Sequence, residues 1–179
     1  MWVSPHMALK QTSQPLNIGA TLDLVDGTPA SLEITLPLSS LDREVFVVTD
    51  IQMDSEPLPM PTAADNQVSV DASVNKTNTA VLTINSPNCV GSLKRRIIES
   101  ALPTGGAIYQ DSYSPSEQST GTMADYLTVI ATPNFVLAGS YGTTAGGAGN
   151  RAVFVRITGY RAVANADTYA ALVTEELNQ

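Results

Sequence analysis

The stretch from Glu44 to Asp54 constrains the fold more than any other part of the chain. Its odd positions carry β-branched or other apolar side chains, while the later even positions are polar. A period of two over this length puts one face of a strand on a core and the other in water, whereas a helix would scatter the odd positions around its circumference. We therefore predict a central strand with four residues facing the core: Val45, Val47, Ile51 and Met53.

Two further features place this strand inside a sheet. Phe46 and Val48 make its first half apolar on both faces, as expected where a strand passes beneath a second layer. A second apolar run, from Ala152 to Arg161, has the length and composition of another buried strand. We expect both strands at the centre of one sheet, which would bring the end of the chain beside its beginning.

Shorter alternating runs predict the other strands. Asp26-Gly27 between two such runs is a strong hairpin signal, because glycine accepts the positive φ that the turn requires. A second hairpin is predicted to turn at residues 75–78. The predicted strands are Ala20–Val25 with Thr28–Leu36, Gln67–Ser73 with Thr79–Ile84, Tyr126–Thr132, and Phe135–Ala138.

An internal helix is predicted at residues 91–102, with Ser92 as its N-cap. The cluster Lys94-Arg95-Arg96 would lie on its polar side. Four apolar residues fall on one helical face: Leu93, Ile97, Ile98 and Ala101.

The ends of the chain and two internal stretches are predicted to lack strands. Residues 1–19 look irregular, and residues 110–122 and 142–150 predict loops because they are rich in Ser, Pro or Gly. A closing helix, Asp167–Leu177, has Asp167 as its predicted N-cap. Its apolar stripe would consist of Tyr169, Leu172, Val173 and Leu177.

Together these elements predict an all-β fold, an antiparallel β-sandwich with single jelly-roll topology, one short internal helix and a short C-terminal helix. In a jelly roll the last strand lies beside the first major one, as the two central strands require. The predicted organisation is an irregular N-terminal segment, residues 1–19, followed by a single jelly-roll domain, residues 20–179.

Charge is sparse and unevenly distributed. Charged residues make up 15% of the sequence, below the usual share of about 25%, which suggests that copies of the chain cover part of its surface. Residues 1–71 hold ten acids and two bases and so account for the whole net charge of −8, whereas residues 72–179 hold seven of each. An N-terminal arm that binds nucleic acid would need a block of Lys and Arg there, so we expect no strong direct nucleic-acid binding.

No group of residues in the sequence is typical of an enzyme. His6 and Cys89 are the sole His and Cys, which leaves no His-activated nucleophile, no intrachain disulfide and no His/Cys metal site. Asp50 and Asp54 share a strand face but stand about 14 Å apart, beyond the roughly 5 to 9.5 Å that paired catalytic carboxyls need. Asp50 with a carboxylate from another strand is the alternative. We expect no enzymatic activity, no cofactor, and no catalytic, cofactor-binding or metal-binding residue.

Two groups of basic residues are candidate subunit contacts. Against the acidic first part of the chain they would make patches of opposite sign, which steer the association of copies and fix its register. The alternative is scattered surface charge, with Arg stems lying along apolar neighbours. The candidates are Lys94, Arg95, Arg96, Arg151, Arg156 and Arg161.

Targeting signals are missing from the sequence. No stretch approaches the roughly 18 apolar residues that a transmembrane helix needs. The start lacks the charged and apolar regions of a secretory signal, and Met7 is an alternative start to Met1. We therefore expect a chain that is made in the cytoplasm.

The strands Arg43–Ile51 and Arg151–Arg161, in a small acidic chain rich in Ser, Thr, Ala and Gly, resemble those of single jelly-roll capsid proteins of icosahedral viruses. The resemblance spans about residues 20–163 and rests on the style of the strands. It implies a structural, self-assembling protein of the virion, made in the host cytoplasm, with no enzyme activity and no cofactor. Its partners would be copies of itself in a large symmetric assembly, with other capsid or vertex proteins as further partners.

The chain departs from one feature of that family. Coat proteins that package RNA directly commonly carry a basic arm, whereas residues 1–19 hold Lys10 as their single base. The resemblance then implies a genome that is neutralised some other way, such as behind an inner membrane.

Two other functions compete with the capsid hypothesis. One is a β-sandwich ligand-binding module of the carbohydrate or adhesin type, and the other is a jelly-roll enzyme that uses carboxylates. Low charge and Gly/Pro-rich loops favour self-assembly over both. The aromatic platform of a carbohydrate site would have to come from Tyr109, Tyr113, Tyr126 and Tyr141.

Overall fold

The computed structural model describes residues 9–61, 66–102, 105–114, 118–119, 126–144 and 149–178, with the backbone alone for residues 118–119. Within these ranges the chain forms eleven strands and one helix. They are β1 (Leu9–Gln11), β2 (Leu16–Leu24), β3 (Ala30–Thr35), β4 (Glu44–Ser55), β5 (Gln67–Asn75), β6 (Cys89–Ala101), β7 (Ala107–Ser114), β8 (Gln118–Ser119), β9 (Thr128–Ile130), β10 (Asn134–Thr143), β11 (Arg151–Ala164) and α1 (Ala166–Leu177).

The strands form two antiparallel sheets in jelly-roll order. The first sheet runs β2-β11-β4-β9, with β1 beside β2 along β11 and β8 beside β9 along β4. The second runs β3-β10-β5-β6-β7. In the first sheet β2 pairs with β11, and in the second β3 pairs with β10, so early strands lie beside late ones. This is the double Greek key of a jelly roll. The predicted all-β jelly-roll sandwich with a short C-terminal helix is confirmed, with β7 as an added edge strand and without the predicted internal helix.

The two predicted central strands pair directly with each other. Their antiparallel register runs from Val153 opposite Ser55 to Val163 opposite Glu44. The register shifts where Thr158 lies opposite Asp50 and Gly159 opposite Val48, so Thr49 is an extra residue, a β-bulge.

The bulge at Thr49 changes which face of β4 points into the sandwich. After it, Ile51 and Met53 belong to the core between the sheets, as predicted. Before it, Phe46 and Val48 occupy that core. Val45 and Val47, predicted to face it too, lie on the outer face instead, because one extra residue inverts the alternation. The buried outer-face residues beneath α1 are Val45, Val47, Val129, Ala131, Ala162 and Ala164.

Helix α1 is the second layer that the apolar first half of β4 predicted. Tyr169, Leu172 and Val173 pack against the outer-face cluster. The N-cap is Asn165 rather than the predicted Asp167, because the Asn165 side chain accepts a hydrogen bond from the Thr168 N–H at 2.8 Å. Leu177, predicted in the apolar stripe, is 69% exposed.

Residues 91–102, predicted to form the internal helix, belong to strand β6 and the turn after it. Leu93 and Ile97 are four residues apart, a spacing that puts two side chains on one face of a helix and equally on one face of a strand. Pairing with β5 and β7 on both sides decides for the strand.

Neither predicted hairpin forms, because the strands pair with other partners. Gly27 has φ of 70° at the predicted turn, but β2 and β3 enter different sheets and only Val25 and Thr28 bridge. Residues 79–84, predicted as a returning strand, form a loop, and β5 pairs with β6 instead. Side chains of the strand hold that loop: Ser73 Oγ accepts from the Leu82 N–H, and Asn75 Nδ2 donates to two loop carbonyls.

Other regions predicted as irregular contain strands. Residues 9–11 and 16–19, within the predicted irregular segment, form β1 and the start of β2. β7 and β8 lie largely in the predicted loop at 110–122. His6, residues 115–117 and 120–122 of that loop, and residues 145–148 of the Gly-rich tract lie outside the described residues.

Candidate functional site

The predicted basic cluster lies on β6 and is divided between two faces of the second sheet. Lys94 and Arg96 point outward, where both are exposed, while Arg95 points to the face of Leu93 and Ile97. Lys94 and Arg96 stand about 7 Å apart along the strand. Neither forms a hydrogen bond or ion pair with any residue that the structure describes.

An open groove of about 880 Å³ crosses the outer face of the second sheet. Residues 81–83, in the loop held by Ser73 and Asn75, border it. Rows of paired residues build its floor: Ser140 faces Asp71, Asp71 faces Lys94, and Lys94 faces Ser114. The floor is therefore rich in hydroxyl groups, with two cations and one carboxylate. Its residues are Asp71, Lys94, Arg96, Ser112, Ser114 and Ser140.

Arg95 is engaged within the subunit. Its Nη2 lies 3.0 Å from Oδ2 of Asp111, and its guanidinium lies 5.3 Å from the centre of the Tyr113 ring. The hydrogen bond that Arg95 donates to Asp111 raises the pKa of Arg95. The Tyr113 hydroxyl donates to Asp54 Oδ1 at 3.1 Å, which ties β7 to β4 of the first sheet. Arg95 thus contributes to the connection between β7 and β4.

The second predicted group of bases is spread along β11. Arg151 donates to the Asn150 carbonyl and stacks 5.7 Å from the centre of the Tyr141 ring. Nη1 of Arg161 lies 3.6 Å from Oε2 of Glu44. Arg156 is exposed and donates a hydrogen bond to Gln52. The three bases of the second predicted group therefore do not form one patch.

The outer face of the first sheet is divided at the bulge. We call the part beneath α1, which contains Val45 and Val47, the covered half. We call the part beyond the bulge the open half. The paired residues in its centre are Asp50 and Thr158, Gln52 and Arg156, and Asp54 and Phe154.

Charge differs in sign between the open half and the groove. Asp50, Asp54 and Asp23 on β2 face outward on the open half against the single base Arg156. The groove floor holds Lys94 and Arg96 against Asp71. The groove floor and the open half therefore carry net charges of opposite sign.

Of the two carboxylates considered for catalysis, Asp54 serves a structural contact. It accepts from the Tyr113 hydroxyl at 3.1 Å and from the Ser55 N–H at 2.8 Å. Among the described residues no three His, Cys, Asp or Glu side chains are grouped so as to hold a metal ion. Burial raises the pKa of the Cys89 thiol, which donates to the Gly91 carbonyl at 3.3 Å.

Sequence reasoning missed the groove and a buried acid. The groove depends on long-range register, for which no local signal exists. Glu176 is 1% exposed, and its two carboxylate oxygens accept from the Ala131 and Thr132 N–H groups at 2.9 Å each. The signal for its burial in the sequence was its position three residues after Val173, on the same face of the helix. In the part of the chain described, no helix is both long and apolar enough to cross a membrane.

Comparisons with solved structures return viral coat proteins. VP1 of Trichodysplasia spinulosa-associated polyomavirus is 8% identical, with 87% of this chain and 98% of that chain covered and a TM-score of 0.39. VP1 of Merkel cell polyomavirus, an unassembled pentamer, is 8% identical, with 87% and 98% covered and a TM-score of 0.37. The turnip yellow mosaic virus structure is 12% identical, with 86% and 95% covered and a TM-score of 0.28.

Comparisons of the sequence return nothing further. No protein-family model matches the chain, and no curated protein sequence matches it. Since the TM-scores lie below 0.5, the assignment of a jelly-roll fold depends on the strand order of the chain itself.

Proposed function

We propose that this protein is a structural capsid subunit that assembles with copies of itself into a viral shell and is located in the virion. The observation that carries the proposal is a jelly roll in which the groove and the open half bear net charges of opposite sign, and in which Lys94 and Arg96 have no partner among the described residues. Jelly rolls serve shells, lectins and enzymes alike, so the fold alone does not choose between them. The charged faces favour contact between copies.

The groove and the open half lie on the outer faces of different sheets, and their complementary charges favour a head-to-tail contact. Such contacts are heterologous, and they close into rings or shells when the rotation between neighbours permits. Opposite-sign patches accelerate encounter and fix register, while many weak contacts in a closed array multiply their effect. A sequence with 15% charged residues fits a surface that neighbours largely cover.

The six predicted interface residues take different parts in this proposal. Lys94 and Arg96 would contact the acidic open half of a neighbour, and Arg156 would lie within that contact. Arg95, Arg151 and Arg161 would hold the geometry of their own subunit, given their partners there. This role needs neither catalysis nor a cofactor. Further partners would be other capsid or vertex proteins, and the net charge of −8 opposes direct binding of a genome.

The test is particle formation by a charge-reversed subunit. Lys94→Glu/Arg96→Glu should remain folded by circular dichroism yet form no large particles by light scattering and negative-stain microscopy. Lys10→Glu/Arg43→Glu changes the net charge equally at exposed bases elsewhere and should still assemble. Raising the salt should weaken wild-type assembly, because exposed charges are screened over about 8 Å at physiological ionic strength.

One outcome would replace the proposal. If the wild-type protein stays monomeric at high concentration across salt and pH, the shell hypothesis is wrong. The ligand-binding module would then take its place, with the groove as its site, since hydroxyl groups and the two cations Lys94 and Arg96 suit a polyhydroxylated anion.

A further inference from the structure

Strand β7 ends the second sheet with an open edge. It pairs with β6 and with no other strand in the part of the chain that the structure describes. All eight of its residues are exposed. Its far side therefore faces no other strand among the described residues, and an edge of this kind is a template for another extended segment.

Two side-chain contacts hold the open edge in place. Arg95 pairs with Asp111, and the Tyr113 hydroxyl donates to Asp54 on β4 of the first sheet. An edge that is fixed in place loses little conformational entropy when a partner strand docks.

Two residue types that usually guard an edge strand against pairing, Lys and Pro, are missing from β7. Natural edges carry Lys, Pro or inward-pointing charges that prevent association. The one charged residue of β7, Asp111, points to the inner side of the sheet, where Arg95 binds it. Ile108, Tyr109 and Tyr113 are large apolar residues that remain 45–55% exposed.

We propose that β7 pairs antiparallel with β7 of a second copy of this chain. A two-fold axis perpendicular to the sheet would relate the copies and join two five-stranded sheets into one of ten strands. This contact satisfies both open edges at once and closes after two copies, whereas pairing with a different strand would leave one β7 edge open.

Symmetry restricts the register to two central choices. Residues opposite each other must point to the same face of the sheet, so even-numbered residues pair with even-numbered ones and odd with odd. Near the middle of β7, the axis then passes between the two copies of either Gln110 or Asp111. Two Asp111 carboxylates in direct opposition would repel. With Gln110 at the axis, two amides meet, Ile108 faces Ser112, and Asp111 faces the Tyr109 ring of the second copy. Charge therefore selects Gln110.

This contact is separate from the charged contact of the proposed shell. It uses backbone hydrogen bonds at the sheet edge, whereas the shell contact uses Lys94 and Arg96 on the sheet face. The dimer should therefore persist at about 0.5 M salt, where surface charges are strongly screened. It should also form in the Lys94→Glu/Arg96→Glu variant, so failure of either proposal leaves the other testable.

Disulfide trapping tests the pairing and its register. In a Cys89→Ser background, single cysteines are introduced at Gln110, Tyr109 or Asp111 and the subunits are oxidised mildly at high salt. A residue on the axis lies about 5 Å from its copy, within disulfide reach, whereas its neighbours lie about 8 Å apart. Gln110→Cys should therefore give covalent dimers at least about ten-fold faster than Tyr109→Cys or Asp111→Cys.

Sedimentation provides a second measurement without new cysteines. The wild-type subunit should sediment as a dimer at high salt. Gln110→Lys, which places two ammonium groups together at the axis, should sediment as a folded monomer. Equal trapping at all three positions, fastest trapping at Asp111, or a monomeric wild type at high salt would each overturn the proposal.

Discussion

The two halves of the first sheet's outer face are built by the same pair of strands yet have opposite character. In the covered half, Val45 and Val47 are fully buried beneath α1. In the open half, Asp54 and Arg156 are exposed and Phe154 is 41% exposed. The bulge at Thr49 marks the border between them.

One inserted residue accounts for this difference. β11 keeps its alternation throughout, while β4 changes phase at Thr49 and moves its apolar set from one face to the other. The covered half can thus contribute to stability while the open half, with its charges, is available to other molecules. Substitutions in the two halves should therefore affect different measurements.

The largest effect is expected from Val47→Asp in the covered half. An unpaired buried carboxylate costs several kcal/mol, comparable with the whole stability of a domain of this size, so the variant should not fold. Gln52→Lys, on the same face of the same strand in the open half, should fold normally. Circular dichroism and thermal unfolding compare the two, and equal tolerance would contradict the assignment of the halves.

Gly159→Ala tests the border itself. A Cβ at this position would lie 2.3 Å from the Val47 carbonyl oxygen and 2.7 Å from the Phe46 ring, so the backbone must shift. We expect a loss of about 3 kcal/mol in the free energy of unfolding. Gly19→Ala is the control, because its Cβ would have an ordinary contact of 3.7 Å to the Val155 carbonyl oxygen. Similar denaturation midpoints for both would show that the strands do not approach so closely at the bulge.

Glu176→Ala removes the anchor of α1 on the covered half. It leaves the Ala131 and Thr132 N–H groups without their acceptor, which should lower the free energy of unfolding by about 1–3 kcal/mol. Glu176→Gln keeps one acceptor oxygen and should lose less. Urea titrations measure the difference, and an Ala variant as stable as wild type would mean that water replaces the carboxylate.

Phe154→Ser should have the smallest effect on stability. Its side chain lies on the open half, so the free energy of unfolding should change by no more than about 0.5 kcal/mol. The same urea titration provides the measurement. A loss above about 1 kcal/mol would indicate that the isolated subunit buries this face, in conflict with its description as open.

The sequence predicted the parts of the fold that rest on strong local patterns. The runs at 44–54 and 152–161 were central and paired, and the Asp26-Gly27 turn formed. The apolar second face of β4 correctly indicated a covering layer. Such patterns record burial, which is what composition and alternation report.

The rest depended on pairing over long distances. The spacing of Leu93 and Ile97 fits a helix and a strand equally, and the neighbours β5 and β7 decided between them. The bulge at Thr49 adds no unusual residue to the sequence, so the phase of Val45 and Val47 was beyond local reasoning. For the candidate site, the basic cluster that contains Lys94 and Arg96 was visible in the sequence. That Arg95 points to the opposite face of the sheet follows from β6 being a strand.

The position of β11 has a consequence for how the protein is made. This strand lies between β2 and β4 and pairs also with β1, all of which precede it in the chain, so that Leu9 meets Ala164. During synthesis β2 and β4 emerge from the ribosome long before the strand that joins them. Folding that waits for such distant pairings is slow, and unpaired edges meanwhile favour aggregation. A nascent chain therefore cannot complete its first sheet early, and only finished subunits present both outer faces to their neighbours.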